Sequence, residues 1–286
     1  MWMFEPDKPI YLSDEMFRLL RDYIHDYCGI YFDEKSKGLL EKRLARRLKM
    51  LHINSFKDYY HLLRYDRRRD EELVSVMDVL TVNETYFFRE QRQLDAFSKE
   101  ILPELKAKNS GTRKLRIWSA GCSTGEEPYT LAMLLIEDGG FLNWDVEIVG
   151  SDITQRVLQV ARKGVYRQNA FRAIDDYYMA KYFTAGQDGT YKIADAVRRY
   201  VTFGNLNLLD AVKVGFVESM DVIFCRNVII YFDQTAKKKV VEHFSNRLAE
   251  GGYLLLGHAE SLINISTAFT LKHLKNDMVY QKAGGY

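Results

Sequence analysis

The sequence predicts an α/β fold in which a mostly parallel, doubly wound sheet follows an all-helical N-terminal domain. Residues 11–82 show only helical periodicity. From Leu115 onward, apolar runs alternate with amphipathic segments, as in a parallel sheet covered by helices on both faces. Between Lys114 and Met133, a strand, a glycine-containing turn and a helix follow one another, as in nucleotide-binding βαβ units. The predicted domains are a helical domain at 1–82, a linker and helix at 83–110, and an α/β domain at 111–286.

Four helices are predicted in the N-terminal domain. Ser13 and Ser55 each precede an apolar-periodic segment as N-cap residues, and Gly29 ends the first helix. The second helix, Glu34 to Leu51, is basic and amphipathic, and the fourth runs from about Asp70 to Leu80. The basic face of the second helix is either an ordinary solvated surface or a docking surface for an acidic partner. Its cations are Lys42, Arg43, Arg46, Arg47 and Lys49.

The turn after the first predicted strand, residues 119–125, restricts the class of ligand. Pro128 fits only a first helical turn, and Thr124 and Glu127 have capping-box spacing. Glu126 and Glu127 would repel a phosphate at this helix N-terminus. The turn therefore favours a ligand with an adenosine end and a cationic amino-acid end, such as S-adenosylmethionine. Alternatively, the two acids only complement the helix dipole.

Polar residues follow the carboxyl ends of several predicted strands. Because ligands of open α/β sheets bind beyond these ends, we expect Asp152, Asn207, Arg226 and Asn227 to converge with the glycine turn. The predicted elements are a strand at Val146–Ser151, a helix at Thr154–Lys163, a strand before Asn207, a strand at Asp221–Cys225, a helix at Thr235–Ala249 and a strand at Tyr253–Leu256.

Two further β segments interrupt or close this pattern. The turn-rich stretch around Gly186 lies between aromatic and β-branched runs, which predicts a small antiparallel β-subdomain at 182–203. Phe269–Leu274 and Met278–Gln281 are predicted to form a closing hairpin.

The composition is that of a globular protein. The chain has 286 residues, of which 47% are hydrophobic and 28% charged. Without a long apolar run or a signal-type N-terminus, it is expected to be cytoplasmic and not inserted in a membrane. Cys28, Cys122 and Cys225 lack the spacing of metal ligands, so no metal is expected. A net charge of +2 does not by itself indicate nucleic acid.

Six motifs follow one another along the chain: LTVNETYFFRE (80–90), WSAGCSTGEEPY (118–129), SDI (151–153), NLL (207–209), FCRNVIIYFD (224–233) and GHAES (257–261). Together they resemble one family, the CheR-type chemotaxis receptor methyltransferases. The resemblance covers nearly the whole chain and implies a Rossmann-like class I methyltransferase domain. It also implies transfer of methyl from S-adenosyl-L-methionine to glutamates of chemoreceptors, with S-adenosyl-L-homocysteine as product.

The resemblance also implies roles for individual residues. Arg89 and Tyr231 match the two residues nearest the transferred methyl. A basic surface would dock the cytoplasmic helical region of chemoreceptors, and we expect a monomer. The implied docking residues are Arg43, Arg46, Arg47 and Lys49. The implied cofactor-binding residues are Asn83, Thr85, Arg89, Gly121, Glu127, Asp152, Asn207, Leu208, Arg226 and Asn227.

Several alternatives remain open at the level of sequence. The loop from Gly186 to Gly189 is shorter than in family members that bind a receptor's C-terminal pentapeptide, which favours pentapeptide-independent recognition. A nucleic-acid methyltransferase would need an Asp/Asn-Pro-Pro-Tyr motif, which the sequence lacks. Another protein substrate and a non-catalytic adaptor both remain possible. Without the resemblance, Arg89 could form an ion pair with Glu90 or Glu126, and Tyr231 could be a core ring.

Overall fold

The structure, a computed structural model, describes residues 10–284 and divides into two compact units between Val82 and Asn83. The helical domain was predicted to end at the same position. The segment 83–110 was predicted to be a separate linker with a helix, but it belongs to the second unit. Its helices pack into that unit's core through Phe97 and Leu102.

The first unit contains the expected helices. Ser13 Oγ accepts the backbone N–H of Met16, Ser55 Oγ accepts that of Asp58, and Gly29 ends the first helix with φ of 77°. These contacts confirm the predicted caps, because they satisfy backbone groups that a helix end leaves unpaired. The helices are α1 (Asp14–Cys28), α2 (Lys37–Met50), α3 (Phe56–Tyr65) and α4 (Arg69–Leu80).

Helix α2 begins later than predicted. Glu34–Ser36 forms a 3₁₀ turn, because the Asp33 side chain accepts the backbone N–H of Ser36 and stops the α-helix from extending backward. Leucines recur on the buried side of α2 and anchor the helix, while Lys42, Arg46 and Lys49 are exposed. These leucines are Leu40, Leu44 and Leu48.

The second unit is built on a seven-stranded sheet. Its order is β6-β2-β1-β7-β8-β10-β9; the first five strands run parallel, and β10 and β9 form the predicted antiparallel hairpin. The mostly parallel, doubly wound sheet is thus confirmed. The strands of the unit are β1 (Lys114–Ala120), β2 (Asp145–Asp152), β3 (Val165–Arg167), β4 (Phe183–Ala185), β5 (Thr190–Ile193), β6 (Val201–Asn205), β7 (Met220–Cys225), β8 (Leu248–Leu256), β9 (Phe269–His273) and β10 (Met278–Lys282).

Helices cover both faces of this sheet. Alternate residues of β7 show why: Val222 and Phe224 belong to one apolar cluster, and Ile223 and Cys225 to another. Because successive strand residues point to opposite faces, a strand that is apolar throughout must be buried on both. The helices are α5 (Gln91–Ala96), α6 (Leu102–Lys108), α7 (Glu126–Asp138), α8 (Gln155–Lys163), α9 (Asp176–Tyr182), α10 (Asp195–Arg198), α11 (Ala211–Gly215) and α12 (Gln234–Arg247), with a π-helical turn at Phe97–Ile101.

The predicted small antiparallel sheet exists, but its bounds of 182–203 are wrong at both ends. Its order is β3-β5-β4, so it includes Val165–Arg167, which precedes the predicted range. Residues Val201–Asn205 instead pair in parallel with β2 at the edge of the large sheet. The β-branched and aromatic residues at 200–203 specify a strand, but its partner is decided by long-range packing.

Strand β8 also starts earlier than predicted, at Leu248 rather than Tyr253. Leu248 pairs with Met220 and Tyr253 with Val222, so the register shifts over the intervening residues. Gly251 has a φ of 68° inside this irregular stretch, a conformation that glycine adopts without steric cost. The glycine pair was predicted to end the preceding helix, whereas α12 ends at Arg247.

Among residues 10–284, no helix is long and apolar enough to span a membrane. The same residues contain no group of three or more His, Cys, Asp or Glu side chains placed to hold a metal ion.

Candidate active site

Four adjacent strands end at one edge of the large sheet, and each is followed there by a predicted site residue. In the order β6, β2, β1 and β7, these residues are Asn207, Asp152, Gly121 and Arg226 with Asn227. The chain winds outward in opposite directions from β1, so this edge is a topological switch point, where α/β sheets form their binding crevices. The structure therefore brings together the residues expected to converge.

The β1–α7 turn approaches the end of β7 closely. Gly121 has a φ of 83°, and a Cβ atom added there would lie 2.4 Å from Cγ2 of Val228. The backbone N–H groups of Gly121 and Cys122 donate to the carbonyl oxygen of Ser151 at 2.8 and 2.9 Å, which ties the turn to β2. Ser123 also has a positive φ, 49°, although it is not glycine. Such strained backbone is concentrated at functional sites in proteins.

Asp152 is nearly buried at the end of β2. Its two carboxylate oxygens accept the backbone N–H groups of Ser123 at 2.9 Å and Thr154 at 2.8 Å. Asp152 thus ties the glycine turn to the end of β2.

The chain after β6 lies beside Asp152. The backbone N–H of Leu206 donates to the Asp152 carbonyl oxygen at 3.0 Å. The Asn207 side chain accepts the N–H of Leu209 at 3.0 Å, and the Leu208 carbonyl oxygen contacts Nδ1 of His243 at 2.9 Å. These bonds fix the backbone of the predicted cofactor-binding pair.

Arg226 is the centre of the site's charge network, and its side chain is only 3% exposed. Its Nη1 lies 3.2 Å from Oε2 of Glu127, and its Nη2 lies 3.3 Å from Oε2 of Glu90. Nη2 also donates to the carbonyl oxygen of Arg89 at 2.5 Å. Glu127 in turn accepts the Ser119 hydroxyl at 2.7 Å. One buried cation thus joins β7, α7 and the segment before α5.

Three buried polar atoms of this network have no hydrogen-bond partner among residues 10–284. They are Nε of Arg226, Oε2 of Glu90 and Oδ1 of Asn227. Buried polar groups in folded proteins are normally hydrogen-bonded, so these atoms are left to bond water or a polar ligand, Oε2 of Glu90 in addition to its ion pair with Arg226. One donor and two acceptors suit the carboxylate and ammonium groups of an amino acid. Glu90 was not among the predicted cofactor residues.

The segment 83–90 is held in an unusual backbone conformation. Asn83 accepts the Ser123 hydroxyl through its carbonyl oxygen at 3.0 Å. Phe88 and Glu90 have φ angles of 59° and 58°, so two left-handed residues flank Arg89. Thr85 is half-buried within the same segment. Because such residues cost free energy, the surrounding structure must hold Arg89 in place.

The side chain of Arg89 is oriented by its own segment. Its Nη1 donates to the Glu84 carbonyl oxygen at 2.9 Å, and its guanidinium lies 5.7 Å from the ring centre of Tyr86. Among the residues that the structure describes, no ion pair joins Arg89 to Glu90 or Glu126. Arg226 forms the ion pair with Glu90 instead.

The capping box expected from Thr124 and Glu127 is absent. Gly125 is the N-cap residue of α7 and has a φ of 91°. The Thr124 hydroxyl donates to the Glu126 carboxylate at 2.6 Å, and Glu127 turns toward Ser119 and Arg226. Burial raises the pKa of Glu126 to about 7, because removing the carboxylate from water disfavours its charged form.

Tyr231 lies on a 3₁₀ turn after β7 and is 38% exposed, so it is not a core ring. Glu260 fixes this loop; it lies in the GHAES motif (257–261), but no role was predicted for it. Its carboxylate accepts four backbone N–H groups, those of Gly257 at 2.7 Å, Asn227 at 2.8 Å, Val228 at 2.9 Å and Ile230 at 3.2 Å. Burial raises the pKa of Glu260, although these four bonds favour its charged form.

The basic helix α2 divides its cations between two roles. Arg43 Nη1 donates to the Leu80 carbonyl oxygen at 2.5 Å. Arg47 binds both carboxylate oxygens of the buried Glu72, at 3.0 and 2.6 Å. Arg46 and Lys49 are exposed. Arg43 and Arg47, two of the predicted docking residues, therefore help to hold the first unit together.

Comparisons with known proteins agree with this architecture. Residues 83–278 match "CheR methyltransferase, SAM binding domain", and residues 15–81 match "CheR methyltransferase, all-alpha domain". Chemotaxis protein methyltransferase 2 of Vibrio cholerae is 38% identical over 96% of this chain and 94% of that protein. The chemotaxis protein methyltransferase of Borreliella burgdorferi is 38% identical over 87% of this chain and 89% of that protein. The solved N-methyltransferase NodS from Bradyrhizobium japonicum has 15% identity and a TM-score of 0.38 over 74% of this chain and 95% of that one, which is too weak to bear on the site.

Proposed function

The chain belongs to the CheR methyltransferase family, and from this premise we propose that it methylates glutamate side chains of chemoreceptors. S-adenosylmethionine is its cofactor, since the family's SAM-binding domain spans residues 83–278. The products are a glutamyl methyl ester and S-adenosylhomocysteine. The names of the Vibrio cholerae and Borreliella burgdorferi relatives support chemotaxis as the setting. The proposal rests on the buried network around Arg226, in which three polar atoms lack a hydrogen-bond partner among residues 10–284 and suit the cofactor's amino-acid end.

The residues at the sheet edge fit this cofactor. When bound, S-adenosylmethionine supplies an electrophilic methyl group on a positively charged sulfur. Glu127, Arg226 and Asn227 would hold its amino-acid end, and Asp152 would accept its ribose hydroxyls. Gly121 allows close backbone approach, because no side chain fills the turn. The other residues assigned to the cofactor are Asn83, Thr85, Arg89, Asn207 and Leu208.

Methyl transfer to a glutamate needs no general base, because a carboxyl group with a pKa near 4.3 is already ionised at neutral pH. The protein's task is to align the carboxylate with the methyl group and to exclude water. We assign this alignment to Arg89 and Tyr231. Arg89 would bind the carboxylate through charge-assisted hydrogen bonds, and its fixed backbone supports that role.

The receptor is proposed to dock on the exposed cations of α2. Arg46 and Lys49 would contact acidic side chains of the receptor, together with the exposed Lys42. Arg43 and Arg47 would act indirectly by holding α2 in place. Recognition is proposed not to require a receptor pentapeptide, because the β4–β5 connection is short and closes at Gln187–Gly189.

The test is transfer of radiolabelled methyl from S-adenosylmethionine to receptor-containing membranes, with and without the receptor's C-terminal tail. Base-labile label identifies a methyl ester, and retention of label without the tail supports docking through α2. Base-stable label would identify a different acceptor group. No label despite tight cofactor binding would favour another protein substrate or an adaptor.

Two substitutions test the catalytic assignment. Arg89→Ala is expected to lower kcat about 100-fold and Tyr231→Phe about 10-fold, since each removes a group that orients the reacting carboxylate. Arg92→Ala, which removes a nearby exposed arginine, is the matched control and should leave kcat unchanged. Full turnover by the Arg89 and Tyr231 variants, with normal cofactor binding, would exclude these catalytic roles.

A further inference from the structure

The loop after β7 carries three residues of the candidate site, Arg226, Asn227 and Tyr231. It starts at Arg226, places Asn227 in the left-handed region with a φ of 59°, and ends in the 3₁₀ turn that presents Tyr231. A non-glycine residue with this φ is destabilising unless neighbouring contacts hold it. The left-handed backbone of Asn227 therefore needs contacts from another part of the chain.

Glu260 supplies them from the loop after β8. One of its carboxylate oxygens accepts the N–H groups of Gly257 and Asn227, and the other accepts those of Val228 and Ile230. Three of the four donors belong to the loop that leads to Tyr231. A charged acceptor makes stronger hydrogen bonds than a neutral one, so the carboxylate replaces the water that these N–H groups would otherwise need.

Gly257 makes this approach of the two loops possible. A Cβ atom at this position would lie 2.9 Å from the backbone nitrogen of Asn227, 2.9 Å from its Nδ2 atom and 3.0 Å from Oε2 of Glu260. Real Cβ atoms do not approach backbone atoms so closely. Any side chain at Gly257 would therefore push the two loops apart and crowd the Glu260 carboxylate, while the chemical identity of Glu260 stays the same.

We propose that Glu260 is a positioning residue that holds the Asn227–Tyr231 loop in its reactive conformation. The inference rests on the proposed methyl transfer and extends it to a residue that touches neither substrate nor cofactor. Glu260 acts through two residues at once. It positions Asn227 for contact with the cofactor and Tyr231 for contact with the incoming carboxylate.

The chemistry of the contact explains why an amide cannot replace this carboxylate. Four N–H donors converge on two oxygens, and glutamine offers one oxygen and one NH₂ group. In Glu260→Gln, the NH₂ group would face two backbone donors, and those two N–H groups would lose their acceptor. The loop would have to shift to hydrate them.

The first measurement compares Glu260→Gln with Glu100→Gln. Glu100 also accepts two backbone N–H groups, those of Lys275 and Asn276, but these belong to the β9–β10 turn, which carries no site residue. We expect Glu260→Gln to lower the single-turnover methyl-transfer rate at least about 30-fold, because a small misplacement of a reacting group can cost that much. The KM for receptor and the folded fraction should match those of Glu100→Gln. Equal rates for the two variants would overturn the proposal.

A double-mutant cycle separates positioning from general stability. In the Tyr231→Phe background, Glu260→Gln should lose most of its effect on the rate, because the side chain it positions is already altered. Additive effects would overturn the action through Tyr231. If Glu260→Gln does not fold, Gly257→Ala replaces it in the same cycle, since crowding at Asn227 displaces the same loop.

Cofactor affinity provides a readout that is independent of methyl transfer. Titration calorimetry with S-adenosylhomocysteine should show about 10-fold weaker binding for Glu260→Gln than for Glu100→Gln, because a displaced Asn227 loses its contact with the ligand. If the wild-type protein binds this ligand but methylates no receptor, the proposed function fails, and the affinity difference still decides the role of Glu260. Equal affinities of Glu260→Gln and Glu100→Gln for S-adenosylhomocysteine would then overturn the positioning role of Glu260.

Discussion

Replacing Glu126 by glutamine is expected to stabilise the protein above neutral pH and to have little effect near pH 4.5. Glu126 lies at the start of α7, is 3% exposed, and accepts a hydrogen bond from the Thr124 hydroxyl at 2.6 Å. Burial raises its pKa from 4.5 to about 7. A glutamine oxygen can accept the same hydroxyl, so the substitution removes the charge while it keeps the shape and the hydrogen bond.

The magnitude follows from the difference between the two pKa values. Between pH 4.5 and about 7, the folded protein holds a proton on Glu126 that the unfolded chain has released. The free energy of unfolding therefore falls as pH rises through this interval and stays low above it. At roughly 1.4 kcal/mol for each pH unit, the ionised carboxylate costs about 3 kcal/mol at pH 8. Glu126→Gln should recover most of this free energy.

The assay is urea unfolding at several pH values between 4.5 and 8.5, followed by tryptophan fluorescence. Two of the three tryptophans, Trp118 and Trp144, lie in the 83–286 unit, so the signal reports the unfolding of α7 and its sheet. The stability gain of Glu126→Gln should be near zero at pH 4.5 and should rise to a plateau above pH 7. A gain that does not change with pH would refute the argument from burial.

Glu137, on the same helix, is a control because its pKa is shifted in the opposite direction from that of Glu126. Burial would raise its pKa, but hydrogen bonds from Lys181, Tyr182 and Tyr177 outweigh burial and lower it. Its ionised form therefore adds stability at neutral pH, and this contribution is lost as pH falls through the lowered pKa. Glu137→Gln should destabilise the protein at pH 7 and have less effect in acid. The same pH trend for both variants would show that charge burial is not the cause.

Two further pairs of variants test the glycine turn and the basic helix. Gly121→Ala should destabilise the protein by about 1–3 kcal/mol more than Gly139→Ala in thermal unfolding, because both have positive φ but only Gly121 would clash. Equal losses of stability in the two glycine variants would show that the close approach of Val228 does not restrict position 121. Arg47→Ala should lower stability by about 3–5 kcal/mol, because it leaves the buried Glu72 without its cation. Arg46→Ala should leave the urea midpoint unchanged and raise the KM for receptor at low salt, an effect that added salt should reduce. A loss of stability by Arg46→Ala would count against that assignment.

Local sequence signals predicted the elements that local physics determines. Ser13, Ser55 and Gly29 cap helices as expected, because caps depend on backbone groups a few residues away. The convergence of Asp152, Asn207 and Arg226 was also predictable, since parallel strands place their carboxyl ends at one edge. The strand at Val201–Asn205 was recognisable as a strand, but its pairing with β2 depends on residues far along the chain.

The contacts that complete the site were not predictable in the same way. Glu260 binds backbone groups that are about 30 residues away, and no local pattern marks a residue that binds N–H groups rather than solvent. The division of the α2 cations between exposed and buried positions was not predictable for a related reason. Arg46 and Arg47 are adjacent on a basic helix, and only the tertiary position of Glu72 separates the exposed cation from the buried one.

The charges of the site also explain why cofactor and substrate need different residues. Glu90 and Glu127 both face Arg226, and Asp152 lies at the same edge of the sheet at the end of β2, so the carboxylates outnumber the one buried cation. This excess of negative charge favours a cofactor with a positive sulfur and an ammonium group. The same charge would repel a glutamate side chain, so the incoming carboxylate needs a cation that is not already neutralised. Among residues 10–284, no ion pair neutralises Arg89, whose guanidinium hydrogen-bonds a carbonyl oxygen. Loss of Arg89 should therefore impair methyl transfer more than cofactor binding, whereas loss of Arg226 should impair both.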